Sequence, residues 1–336
     1  MEKSSPYIHH FKLNTMIIKH PPSQLSPFVL LVCCMFFFLA CPRPPVVNDN
    51  YETIYRATPQ NILDRLTEGK YPVEFDRLGG AVRPDELIVL FPPNTPKPQR
   101  DSIVKAKSME VIRRCPCDED LYLLGGNLTG GPAGQLDNTG GSKDGGGLSG
   151  QGGNNYTHFR ENGKSNFEIP NIKTADNIEP AKEEDIIVAV IDTGVDWDQP
   201  DCPSPGGGMF SHIWRNNDET LSGADDDSNG LIDDIIGWDF VANDNNPHDE
   251  NSHGTHVAGI VLHTLNNLGF DGNVKIMPYR VLDENGFGTL FDAACATICA
   301  VKNGAKVINL SLGWYGEENI IFAKVLEKME QQYPGV

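Results

Sequence analysis

Six apolar residues in a row, Ile186-Ile-Val-Ala-Val-Ile191, are the feature that most limits what this chain can become. A strand with one wet face alternates polar and apolar residues. An unbroken apolar run of this length reads as a strand buried on both faces, the signature of a parallel sheet covered by helices. Asp185 opens the run, and Asp192-Thr-Gly-Val-Asp196 closes it in a glycine turn. In open α/β sheets, functional side chains gather at this carboxyl edge. Taken alone, Asp192 reads as a turn-capping residue. Asp-Thr-Gly is also the motif of the paired-carboxylate proteases, but that chemistry needs a second copy, and the chain has one.

A second motif lies downstream, Asn251-Ser-His253-Gly-Thr-His256-Val-Ala-Gly259, running into the apolar stretch Ile260 to Leu268. A histidine at the mouth of a helix, followed by glycine so that another backbone can approach, suits a general base that stays exposed. His256 and Val257 are expected to turn into the packing. Zinc is a weak reading, because histidines three apart with no third ligand nearby seldom make a site. Asp192-Thr-Gly followed by His253-Gly-Thr-His-Val-Ala-Gly resembles the subtilisin-like serine protease family (subtilases, peptidase S8), whose triad runs in the order Asp, His, Ser.

The resemblance implies an α/β fold: a subtilisin-like, doubly wound, mostly parallel sheet with its C-terminal part missing, preceded by a small α+β propeptide-like unit. It implies a serine endopeptidase in which His253 takes the proton of a serine hydroxyl and Asp192 orients the imidazole. Val274 to Leu282 reads as the next strand, Phe291 to Asn303 as a helix, and Ala305 to Gly313 as another buried strand. Gly286, Phe287 and Gly288 resemble the segment that pairs with extended substrate. Ser311, Leu312 and Gly313 resemble the opposite cleft wall. Protein or peptide substrates would add between them as a strand.

The family's nucleophile motif, Gly-Thr-Ser-Met, is not found in Met1 to Val336, nor is the strand leading to an oxyanion-hole Asn. The chain is therefore expected to be inactive alone, either as a truncated product or as a pseudoprotease kept as a binding module.

The formal net charge is −19, which argues against nucleic acid, since phosphate binding needs clustered Lys and Arg. Eleven Asp or Glu and no Lys or Arg fall between Asn216 and Glu250. Within that run, Asp225, Asp227, Asn229, the Leu231 carbonyl and Asp233 follow the oxygen spacing of an EF-hand-like calcium loop, with Gly230 at the sharp sixth position. Ile236 stands where a bidentate Glu belongs, so a structural calcium ion and a solvated acidic turn both remain open; catalysis needs no cofactor.

Residues 1–41 read as a signal peptide with a thirteen-residue apolar core, Phe28 to Ala40. Phe-Leu-Ala-Cys41 resembles a lipobox, so a secreted protein and a cell-envelope lipoprotein anchored through Cys41 are both open. Residues 42–80 are unassigned. Residues 81–124 form the propeptide-like unit: a strand over Asp85 to Phe91, a helix over Asp101 to Arg114, and a second strand over Asp120 to Leu124. Such a propeptide would occupy the cleft as an internal partner. Residues 125–160 read as a Gly-rich flexible linker, and 161–336 as the catalytic domain. The eight cysteines show no regular framework, so a disulfide scaffold is not expected, and Cys295 and Cys299 read as small core residues.

Overall fold

A computed structural model describes residues 58–68, 71–76, 78–126, 151–158, 171–198, 208–269, 274–316 and 319–334. The signal-peptide segment, Cys41, Cys202 and most of the Gly-rich stretch lie outside the described residues.

The N-terminal half begins with helix α1 (Gln60–Glu68), followed by strands β1 (Glu74–Phe75) and β2 (Ala81–Leu90). Helix α2 (Lys97–Ala106), β3 (Glu110–Arg114), β4 (Leu121–Gly125) and β5 (Gln151–His158) follow. These strands form an antiparallel sheet in the order β3-β4-β2-β5, with β1 beside β2. Two sequence expectations change here. The helix expected to reach Arg114 ends at Ala106, and residues 110–114 are a strand whose exposure alternates with period two. Ile112 falls on the exposed side of that strand, so the apolar spacing read as helical is partly a strand pattern. The stretch expected to be linker turns into β5 from Gln151, and its backbone supplies ladder bonds to β2.

The second half is the sheet that the apolar run demanded. Strand β6 (Ile186–Asp192) is followed by the short helix α3 (Met209–His212), β7 (Trp238–Asp239) and helix α4 (His253–Asn267). Then come β8 (Val274–Arg280), β9 (Gly288–Thr289), α5 (Leu290–Lys302), β10 (Val307–Asn309) and α6 (Ile320–Gln332). The sheet order is β10-β6-β8-β7, every pair parallel, with Ile186 to Asp192 in register with Val274 to Arg280. Alternate residues of β6 enter two cores. Val188 and Val190 pack with Val257, Ala258 and Leu262 of α4. Ala189 and Ile191 pack with Leu290, Phe291, Ile298 and Val325 from α5 and α6. Burial on both faces is why none of the six positions is polar.

The antiparallel sheet lies against α5 and α6. Ile88, Leu121 and Leu123 join the same core as α5, and ion pairs ring the contact. Arg113 meets Asp292 at 2.6 Å, and Lys328 meets Asp118 at 2.6 Å and Asp120 at 2.8 Å. Two disulfides cross the boundary, Cys115–Cys295 and Cys117–Cys299. This corrects the reading of Cys295 and Cys299 as plain core residues. Cys115 and Cys117 sit in the tight turn after β3, closed by the Asp118 amide donating to the Cys115 carbonyl at 3.2 Å, while Cys295 and Cys299 are one turn apart on α5. Cysteines spaced by two on one side pair with cysteines spaced by four on the other, across 180 and 182 residues.

Candidate active site

Strand β6 ends at Asp192, and α4 begins at His253, so the carboxyl edge of the sheet and the first turn of a helix meet at one point. His253 Nδ1 lies 2.6 Å from Asp192 Oδ1. Asp192 is fully buried, whereas 14% of the His253 side chain is exposed. A carboxylate on one ring nitrogen fixes the tautomer and leaves the other nitrogen able to accept a proton. The same Asp192 oxygen also accepts from the Thr193 amide at 2.7 Å.

Gly254 makes the meeting close enough. A Cβ there would strike the Gly194 carbonyl and come within 3.2 Å of Asp192 Cβ. Its amide donates to Thr193 Oγ1 at 2.9 Å. Val257 is buried as expected, but His256 is exposed, because the helix phase points it outward.

Asp249 is a residue the sequence reading missed. It is fully buried, and its carboxylate accepts from Thr193 Oγ1 at 2.8 Å, the amides of Asn251, Ser252 and Thr255, and Thr255 Oγ1 at 2.7 Å. It thus ties the loop carrying Asp192 to the first turn carrying His253 and satisfies that turn's orphan amides. Its signal was an Asp four residues before a histidine that opens a helix.

The cleft segments are placed as follows. Phe287 is buried and Gly288 pairs with β5, in antiparallel register Thr157 with Thr289 and His158 with Gly288. Gly286 takes φ +78°, the turn that Asp283 closes by accepting from the Phe287 amide at 2.9 Å. Residues earlier left unassigned also reach this edge. Ile62 and Leu66 of α1 share a core with Phe287, the Arg65 guanidinium sits 5.0 Å over its ring, and the Tyr71 hydroxyl donates to Asp283. Ser311, Leu312 and Gly313 are half-buried, with Leu312 against the core and Ser311 Oγ donating to Asn309 at 2.8 Å.

The acidic loop is braced by bonds from its own amides. Asp225 accepts from the amides of Asn229 and Gly230, and Asp233 from those of Ser222 and Gly223, so their oxygens brace the loop. Asn229 Oδ1 accepts from the Leu231 amide, and the Leu231 side chain is core. Gly230 does take the left-handed turn, at φ +95°. Of the expected donors, Asp227 alone joins a carboxylate cluster, with Glu219 and Asp234, one oxygen of each lying within 4.8 Å of the others. Glu219 is 1% exposed, and its Oε2 has no hydrogen-bond partner. Burial, with Asp227's charge adding, pushes Asp234 up to about 8. Carboxyl oxygens of opposite ligands on a calcium ion are separated by about 4.8 Å, so the cluster fits a hard cation.

A parallel α/β sheet with an aspartate–histidine couple at its carboxyl edge is thus the class that fold and site define. Residues 183–332 match the Peptidase_S8 model, described as the subtilase family. It is 43% identical over 130 residues to a thermophilic serine proteinase of Bacillus sp. (strain AK1), covering 38% of this chain and 25% of that protein. It is 38% identical over 152 residues to subtilisin-like protease 1 of Plasmodium falciparum (isolate 3D7), covering 43% of this chain and 21% of that protein. The cell wall-associated protease of Bacillus subtilis (strain 168) is 36% identical over 162 residues, 45% of this chain and 15% of that protein. The chain spans about a quarter of the length of the first two relatives. None of the helices among the described residues is long and apolar enough to cross a membrane.

Proposed function

We propose that this chain carries the general base and its orienting carboxylate of a subtilase-type serine endopeptidase. The observation that carries the reading is the 2.6 Å contact between His253 and buried Asp192 at the sheet edge. His253 would accept the proton of a serine hydroxyl while Asp192 stabilises the imidazolium. Asp249 would act as a positioning residue, holding the two against each other. The family's nucleophile motif, Gly-Thr-Ser-Met, does not occur within Met1 to Val336.

Gly286, Phe287 and Gly288 form one wall for an extended polypeptide and Ser311, Leu312 and Gly313 the other. The antiparallel pairing of β5 with Gly288 supports this, since the chain's own strand lies where a substrate strand would add. The N-terminal unit would then be the propeptide. Glu219, Asp227 and Asp234 would hold a structural calcium ion, which neutralises the buried carboxylates and fixes the loop between β6 and α4. The protein would be secreted or held at the cell envelope, with Cys41 as its lipid attachment point.

Residues 1–336 should show no fluorophosphonate labelling and no peptide turnover. Joined in frame to a continuation bearing Gly-Thr-Ser-Met, the protein should label, and His253→Ala should lower turnover by several orders of magnitude. Labelling of residues 1–336 alone, or full turnover in the His253→Ala protein, would refute the assignment.

A further inference from the structure

We propose that the N-terminal unit stays covalently attached to the parallel-sheet domain when the backbone between them is cut, and that release requires reduction of both bridges. Cys115 and Cys117 lie in the turn between β3 and β4, and Cys295 and Cys299 face them from adjacent turns of α5. A cut anywhere between His158 and Ile186 divides the chain into two parts. Both bridges still join those parts, because each has one cysteine on either side of the cut. The ion pairs of Arg113 and Lys328, and the packing of α1 on Phe287, hold the same face without covalent bonds.

The bridges are shielded. All four cysteines are at most 3% exposed. The turn holding Pro116 is backed by the acidic loop, since a Cβ on Gly230 would meet the Pro116 carbonyl at 2.5 Å. Release proceeds by thiol–disulfide exchange. With a dithiol reductant, a thiolate attacks one sulfur of a bridge, breaking its S–S bond and releasing the other cysteine as a thiolate that is protonated; the second thiol then attacks the mixed disulfide, releases the remaining cysteine, and the reductant closes into a cyclic disulfide. Each bridge takes up two electrons and two protons, so four cysteine thiols form and two dithiols are oxidised. Burial makes this wait on local opening.

Retention rests on the bridges alone and is independent of the protease reading. Its consequence, that the edge at Gly288 stays paired with β5 until reduction, deepens that reading.

The test uses the full chain, with a site for a sequence-specific protease inserted between Gly163 and Lys164. After cutting, the two parts should elute together from a sizing column in 8 M urea without reductant, and apart once dithiothreitol is added. Amide exchange at residues 286–289 under native conditions should be unchanged by the cut and rise at least tenfold after cut and reduction. Cys115→Ser and Cys117→Ser should each leave the parts joined, and the double variant should free them in urea. Peptide mapping of the uncut protein provides a check that needs no variant, and should find residues 115 and 117 linked to residues 295 and 299. Separation in urea without reductant, eight titratable thiols in the unreduced full chain, or no such linked peptides would overturn the proposal. Exchange at residues 286–289 that ignores reduction would overturn the covering of the edge while leaving retention standing.

Discussion

Gly254→Ala tests whether close backbone contact is what brings the two halves of the site together. The substitution is made in the first turn of α4, where alanine by itself favours the helix by up to about 1 kcal/mol over glycine. Its Cβ, however, would run into the Gly194 carbonyl and sit 3.2 Å from Asp192 Cβ. Restoring ordinary contact needs the strand end and the helix to part by on the order of 1 Å. The Gly194 turn has little room to retreat. It takes φ +97°, and behind it lie the carbonyls of Pro247 and His248, with the Val195 amide donating to Pro247 at 3.0 Å. Overpacking of this kind costs about 1–3 kcal/mol, so the net loss should be about 1–2 kcal/mol after the helix gain. Gly259→Ala on the same helix is the control, because its Cβ meets nothing within 4 Å and should cost nothing or stabilise slightly. Urea unfolding of both variants measures the difference, and a crystal structure of Gly254→Ala should show the His253–Asp192 contact lengthened beyond 3.2 Å. A Gly254→Ala protein as stable as Gly259→Ala, with the 2.6 Å contact kept, would refute the reasoning.

Calcium should bind to the purified chain by calorimetry and raise its melting temperature, contributing about 2.7 kcal/mol at a hundredfold excess over Kd; Glu219→Gln should abolish both effects. His248 is buried without a partner for either ring nitrogen, and burial holds it below the ordinary imidazole value, against the pull of Asp249 and Glu250. An unfolded chain takes up that proton near pH 6.5 while the folded one refuses it. Stability should therefore fall as pH drops below about 6.5 and be flat above it on this account, and His248→Leu should flatten the slope measured by denaturation between pH 5 and 7. Removing both bridges by Cys115→Ser with Cys117→Ser frees a loop of 180 residues, worth about 5 kcal/mol in the chain-entropy account. Either single variant, whose remaining bridge keeps the loop closed, should lose far less in guanidinium unfolding.

What could be read from the residues followed the range of the interactions involved. The apolar run of β6 announced a sheet covered on both faces, since each of its residues reports its own burial. Asp192 and His253 were legible because each sits in a short local motif set by a strand end and a helix start. Asp249 was not, because its role depends on Thr193, 56 residues upstream, folding back onto it. The metal donors show the same limit within a single loop. Spacing alone suggested Asp225 and Asp233, whose carboxylates accept backbone amides of the loop. Glu219 and Asp234, which lack the EF-hand spacing, converge because Asn216, Asn229 and Asn303 draw Asp234 inward from three different segments. The cysteines are the extreme case. A Cys-Pro-Cys turn and two cysteines four apart on a helix are each unremarkable alone. Their pairing follows only once β3 and β4 lie across α5, a placement fixed by apolar contacts among residues some 180 positions apart. Chemistry that a few neighbouring residues determine can thus be read in advance, whereas chemistry shared between the two sheets waits on the packing that joins them.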